Sequence, residues 1–229
     1  MAFEAINLST RPPQDPPEDS KLTRTKQRWA KDGRGLVGQV SDPARSRLPP
    51  GQHLVKDWPV LDLGEQPEID TRSWTLRVTG LVEHPIVWDW AAFQNAPQTD
   101  VVSDIHCVTT WSRYDNSFRG VSTRHLCDLV APEAEARFVM LYASDGYTTN
   151  LAIEDFAAPA ALLAHAWEEL PLTPEHGGPV RLILPHLYLW KSAKWLRAIE
   201  FMAEDEAGFW EDRGYHNRGD PWREERYSS

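Results

Sequence analysis

The sequence predicts an α+β protein with a mixed β-sheet core and short helices. Three observations carry this reading. Strand-like stretches at residues 74–79, 137–142, 180–184 and 193–201 recur through the chain, alternating in period two or running continuously apolar. Helical patterns between them are few and short. The regular strand–helix alternation of a doubly wound fold is missing, as is any Gly-x-Gly-x-x-Gly string after a strand.

In chain order, residues 1–47 read as a proline-rich, partly flexible arm. Residues 1–50 hold seven of the 18 prolines and carry a charge balance of +3, against −13 for the remainder, and proline breaks regular structure by removing an N–H donor and fixing φ. The ordered domain is expected over residues 48–229, starting near Leu48-Pro49-Pro50-Gly51. Residues 74–79 alternate and end at Gly80, as a strand with one buried face does. Residues 89–93 read as a short helix. Residues 122–130 read as a second, with Ser122 as N-cap and Leu126, Leu129 and Val130 turned inward. Residues 157–167, rich in Ala and Leu, are expected to be helical. The final stretch, 204–229, has eight acidic residues, four arginines and the spaced aromatics Phe209, Trp210, Tyr215, Trp222 and Tyr227, a pattern expected of an extended tail pinned to the body.

Composition narrows the function. A net charge of −10 argues against general binding to nucleic acid or anionic lipid, which needs clustered Lys and Arg. Two cysteines cannot build a zinc ribbon or a disulfide framework. No stretch reaches the roughly 18 apolar residues of a membrane span, and the N-terminus has neither an apolar leader core nor a twin arginine, so the expectation is a cytoplasmic protein.

Three strings carry chemistry. The first is DIHCVTTW, residues 104–111, where Cys107 ends a strand before a polar turn. A thiolate there is a nucleophile or a soft-metal ligand, although a buried inert cysteine is the commoner case. Cys127, beside Leu126, is assigned to packing. The second is HGGPVRLILPHLYLWKSAKW, residues 176–195, with Arg181, Lys191 and Lys194 beside a Gly-Gly pair in an acidic chain. Glycines let an anion approach the backbone and Arg with Lys supplies charged donors, while a plain hairpin explains the same pattern. Lys191 and Lys194 face opposite ways on a regular strand, so both aim inward only if the chain turns at Ser192. The third is SDGYTT, residues 144–149, a turn that needs no function but places Tyr147 to line a pocket with Trp111 and Trp190.

The order and spacing of HCVTTWSRYDNSFRGVS, SDGYTTNL, EHGGPVRLILP and KSAKW resemble the molybdopterin-binding domain of the sulfite oxidase family, over residues 48–227. The small bacterial members related to the periplasmic molybdenum methionine-sulfoxide reductase are the nearest in pattern. The resemblance implies the sulfite oxidase-type fold and a molybdenum–molybdopterin cofactor with Cys107 as the protein's metal ligand. It implies His176, Arg181 and Lys194 as cofactor contacts, with backbone groups of Ser192 and Ala193 beside them, and His53 of the Gln52-His53-Leu54 segment touching the pterin. His106 is expected either to steady the ligand through hydrogen bonds or to be purely structural.

Departures shape the activity expected. Family members that oxidise sulfite carry arginines where this chain has Gly51 and Ser112, and alternation turns Arg113 away from that face. Sulfite oxidation is therefore disfavoured, and oxygen-atom transfer on a neutral sulfoxide or N-oxide is expected, with Cys107, Trp111 and Tyr147 at the reacting centre. A small-molecule substrate, a separate electron-transfer partner and a monomeric state complete the picture. Two alternatives are a non-catalytic molybdopterin-binding or interaction module and a cofactor-free cysteine hydrolase; the latter lacks an evident base, because His106 should face the opposite side of its strand.

Overall fold

A computed structural model describes residues 21–31, 47–62, 64 and 66–228. Most of the expected arm, 1–47, lies outside these residues. The part that is described contains a helix not foreseen from the sequence, α1 (Lys21–Lys31).

Two sheets share one continuous buried core. The first joins β1 (His53–Leu54), β4 (Gln98–His106), β5 (Trp111–Ser122), β8 (Leu162–Trp167), β9 (Leu170–Pro171) and β10 (Arg181–Ile183), with the path β1-β5-β8-β10, β4 on β5 and β9 on β8. The second runs β3 (Ile86–Asp89), β2 (Thr75–Gly80), β11 (Leu196–Met202), β6 (Phe138–Ala143), β7 (Thr148–Ala152). Pairings β1–β5 and β2–β11 are parallel and the rest antiparallel. The mixed-sheet architecture is the one expected.

Local chemistry explains most elements. In β2, Leu76 and Val78 are fully buried with Trp74 just ahead of them on the same face. Gly80 ends the strand at φ +87°, where a Cβ would lie 2.1 Å from the Phe201 carbonyl oxygen, so only glycine fits. Helix α2 (Trp90–Asn95) is capped by Asp89, whose carboxylate accepts from the Ala92 N–H at 2.8 Å. Helix α3 (Thr123–Val130) starts after Ser122, but that hydroxyl caps nothing. Thr123 instead donates to the Phe156 and Ala161 carbonyls, tying the helix to the core. Leu126 and Val130 are buried; Leu129, expected inside, is exposed.

The expected helix at 157–167 is absent: residues 162–167 form β8, preceded by a one-turn helix, α4 (Ile153–Phe156). Strand β8 lies between β5 and β10, with Leu162, Leu163 and Ala164 fully buried. A strand with neighbours on both edges and apolar cover reads as a continuous hydrophobic run, indistinguishable by period from a buried helix. Leu and Ala favour a helix, and sheet pairing overrides them.

In the tail, Phe209, Trp210 and Tyr215 are buried, Tyr227 packs on the core, and Trp222 remains 46% exposed. Among the described residues no helix is long and apolar enough to cross a membrane.

Candidate active site

The termini of both sheets and the tail enclose one cavity of about 840 Å³, counted out to its open mouth. Its walls bring together Cys107, Trp111, Tyr147, His176, Arg181, Ser192, Ala193 and Lys194, as well as Trp58 and Trp190. Residues 118 positions apart thus meet at one place, as in the 3.1 Å bond of the His176 ring to the Trp58 carbonyl.

Cys107 stands in the turn joining β4 to β5. Its N–H donates to the Trp111 carbonyl at 2.8 Å, and Thr110 N–H returns to the Cys107 carbonyl at 3.0 Å. Thr110 takes φ +78°, a conformation that costs a β-branched residue on the order of 1–3 kcal/mol. Two distant side chains hold the turn in that shape. Gln52 Nε2 donates to the Cys107 carbonyl at 3.1 Å, and Arg226 Nη1 donates to the Val108 carbonyl at 2.5 Å. The Cys107 thiol is buried, with the Thr109 hydroxyl 3.1 Å from Sγ. Among the described residues no three His, Cys, Asp or Glu side chains gather as around a metal ion.

At the other end, Arg181 is almost fully buried and donates to three carbonyls: Leu182 at 3.3 Å, His176 at 2.9 Å and Ser192 at 2.9 Å. Its guanidinium carbon lies 5.0 Å from the Trp58 ring centre. Burial lowers its pKa to about 9, leaving it charged at neutral pH. Lys194 donates to the Glu175 carbonyl at 2.6 Å, and burial with the neighbouring Arg181 lowers its pKa to about 8. Neither cation has a carboxylate hydrogen-bond partner among the described residues. Gly177, at φ +96°, makes this approach possible, since a Cβ there would stand 2.9 Å from Lys194 Cβ. The Ser192 hydroxyl accepts from Leu184 N–H at 3.0 Å and so fixes the chain between the two cations.

The His176 ring lies between Trp58 and Trp167, at centroid distances of 4.4 and 5.5 Å, and burial lowers its pKa. The Tyr147 hydroxyl donates to the Trp190 carbonyl at 2.6 Å, and burial pushes its pKa well up. Trp111 Nε1 is buried on the cavity wall without a partner among the described residues.

Several sequence candidates lie elsewhere. His53 sits on exposed β1 and is not in the cavity wall, because the alternation that buries Gln52 turns His53 out. His106 is fully buried and outside that wall; its Nδ1 meets the Ser112 hydroxyl at 2.8 Å, its ring meets Trp222, and burial lowers its pKa to about 4. Arg113 turns away to Glu168 and the Trp167 ring, as alternation predicts. The turn at Ser192 parts the two lysines: Lys191 is buried against Glu211 at 2.7 Å, so only Lys194 enters the cavity. Cys127 is half-buried against the core and burial raises its thiol to about 11.

Residues 63–210 match the family of the oxidoreductase molybdopterin binding domain. The chain belongs to that family. Among curated relatives, the uncharacterized oxidoreductase YuiH of Bacillus subtilis is 47% identical over 183 residues, 80% of this chain and 92% of the relative. The catalytic subunit MsrP of the Campylobacter jejuni protein-methionine-sulfoxide reductase is 28% identical over 62% of this chain and 53% of its own length. The putative protein-methionine-sulfoxide reductase subunit YedZ1 of Azospira oryzae is 28% identical over 65% and 56%. The chain therefore spans about half the length of these two. The sulfane dehydrogenase SoxCD of Paracoccus pantotrophus shares the fold, with TM-score 0.57 at 16% identity over 72% of this chain and 54% of that one. The protein is thus a molybdopterin-binding oxidoreductase with the sulfite oxidase-type fold.

The residues fit such a cofactor. A pterin phosphate is a suitable counter-ion for the buried Arg181 and the half-buried Lys194, a thiolate suits a soft, high-valent metal, and the Trp111 N–H lacks an acceptor that a bound polar group supplies. The sequence missed Gln52, Lys26 and Arg226. Arg226 is nearly fully buried, and its Nε and Nη2 have no partner among the described residues. No local pattern marks these residues, because each meets the Cys107 end of the cavity from a segment far away in the chain.

Proposed function

We propose that this chain uses a molybdenum–molybdopterin cofactor to reduce a small sulfoxide or N-oxide, with R₂S=O + 2H⁺ + 2e⁻ giving R₂S + H₂O. The observation that carries this is the pairing, in one cavity, of a buried cysteine with a buried arginine and a half-buried lysine, neither of which has a carboxylate hydrogen-bond partner among the described residues. When bound, the cofactor would supply the two-electron oxygen-transfer chemistry. Cys107 holds the metal, while Arg181 and Lys194 hold the phosphate and the Ser192–Ala193 backbone flanks it. Trp111, Tyr147 and Trp190 form a wall that excludes water. Two relatives named as methionine-sulfoxide reductase subunits support the choice of a sulfoxide. The electrons come from a separate reduced carrier or partner protein.

The test is elemental molybdenum together with fluorescence of the oxidised pterin in protein from a molybdenum-replete host, followed by oxidation of reduced viologen on adding sulfoxides and N-oxides. Near-stoichiometric metal and pterin with sulfoxide-dependent turnover is expected. Metal and pterin with no turnover on either class would overturn the substrate assignment; neither metal nor pterin would overturn the whole reading.

A further inference from the structure

Helix α1 turns Thr23, Lys26 and Ala30, spaced three and four apart, to the body of the protein, and all three are buried. A lysine in the middle of such a face is costly, because an ammonium loses its hydration on burial. Lys26 is only 8% exposed, lines the cavity with Cys107, Trp111, Trp210 and Tyr215, and places Nζ 5.5 Å from the centre of the Trp210 ring. Among the described residues it has neither a hydrogen bond nor an ion pair. The cavity carboxylates Asp62, Asp145 and Glu175 act on Lys194 instead. Burial lowers the Lys26 pKa, and the sole opposing influence is Cys107, whose charge is committed to the metal in the loaded protein. The helix also lies outside residues 63–210, the span matched by the family.

We propose that Lys26 recognises an anionic oxygen group on the substrate, so that the compound reduced here carries a carboxylate or similar anionic group close to its S=O or N–O bond. An anionic group seated over Trp210 and against the ammonium converts an uncompensated buried charge into a charge-assisted hydrogen bond. Because α1 and the tail both wall the Cys107 end, the substrate is a small acid and not a protein loop. The substrate class rests on the reduction proposed above; the anion site does not.

Two readouts test it on the full-length protein as purified. The first is titration with sulfate followed by tryptophan fluorescence, comparing wild type, Lys26→Met and Lys26→Arg. A dissociation constant weakened roughly tenfold or more in Lys26→Met and restored in Lys26→Arg is expected, in line with the loss of a charge-assisted bond. Equal sulfate binding in all three would overturn the anion site, whether or not the protein turns over sulfoxides. The second compares kcat/KM for (methylsulfinyl)acetate with that for dimethyl sulfoxide. Wild type should favour the carboxylate through KM, Lys26→Met should lose that preference, and Lys26→Arg should keep it. A preference that survives in Lys26→Met would assign recognition elsewhere. Unchanged circular dichroism and molybdenum content in both variants separate these outcomes from misfolding.

Discussion

At the basic end of the cavity, the hydrogen bonds of Arg181 and Lys194 run to carbonyls between residues 175 and 192, whereas the Cys107 turn is held by Gln52 and Arg226 and walled by Lys26 and Trp210. The cation hydrogen bonds of the phosphate end are thus closed within one stretch of chain, with Trp58 and Trp167 packed against it, and the metal end is assembled from segments on either side of that stretch. A locally closed site is formed as soon as its own strand and turn fold. A site closed from a distance depends on two terminal segments docking, which gives each of them a means to tune the reacting end without disturbing how the cofactor is gripped.

The sharpest way to break this comparison is Cys107→Ser. Molybdenum content should fall by at least about tenfold, because even groups that merely orient a metal ligand contribute about 10–100-fold to affinity. Circular dichroism should be unchanged, since the turn is held by backbone and by Gln52 and Arg226. Normal molybdenum in this variant would remove the ligand assignment.

Arg181→Ala comes next. It strands the His176 and Ser192 carbonyls, each costing about 1–3 kcal/mol where buried, and it removes one of the two cations proposed for the phosphate. Pterin and molybdenum should fall together. Inorganic phosphate should raise the melting temperature of cofactor-free wild type by binding the folded state and should leave Arg181→Ala unmoved; an equal rise in both would show that phosphate binds elsewhere.

How much of this was legible in the sequence follows the same division. Cys107, Arg181 and Lys194 stand out in two short strings, His176 and Ser192 come from the resemblance that joins those strings, and all five reach the cavity wall. The mixed sheet was legible too, from alternation in β2 and apolar runs at β6, β10 and β11. What was not legible depends on partners distant in sequence. The residues of β8 look helical until β5 and β10 enclose them, and Leu129 looks inward until α3 is rotated by the Thr123 bonds. Lys26 and Arg226 look like ordinary surface charges, because nothing near them in sequence records that their helix or tail turns them into the core.

Acidity sharpens the comparison further. The Lys194 pKa is lowered to about 8 from an ordinary 10.5, so between these values the unfolded chain binds the proton that the folded one has lost. Stability of the cofactor-free protein should therefore rise as pH increases from about 8 to 10.5. Lys194→Met should flatten that rise. Cofactor retention should change in the opposite sense, weakening above about pH 8 as the ammonium facing the phosphate is neutralised. Melting curves and pterin release measured across this range on both proteins check the pair of trends, and a wild-type stability slope identical to that of Lys194→Met would remove Lys194 as its cause.

Arg226→Ala tests the remote anchor. It frees the Val108 carbonyl without touching the basic end, so the ratio of molybdenum to pterin should drop while pterin itself is retained, unlike the joint loss in Arg181→Ala. A joint loss here as well would mean that the tail supports the whole cavity and not the Cys107 turn.

The smallest effect is expected at Tyr147, where the geometry decides between two roles. Its hydroxyl is buried, is spent on the Trp190 carbonyl at 2.6 Å, and is pushed well above the ordinary tyrosine pKa by burial and the nearby Glu211. A hydroxyl so placed gives up its proton reluctantly, and its bond points into the wall. Tyr147→Phe keeps the ring against Phe209 and removes only that hydrogen bond, worth about 1 kcal/mol net. The variant should keep its metal and pterin and lose less than about tenfold in kcat, with an unchanged pH profile. A loss of a hundredfold or more, accompanied by a shift in that profile, would instead make the hydroxyl a proton donor to the reacting oxygen, and the wall at the Cys107 end would then be part of the chemistry as well as its boundary.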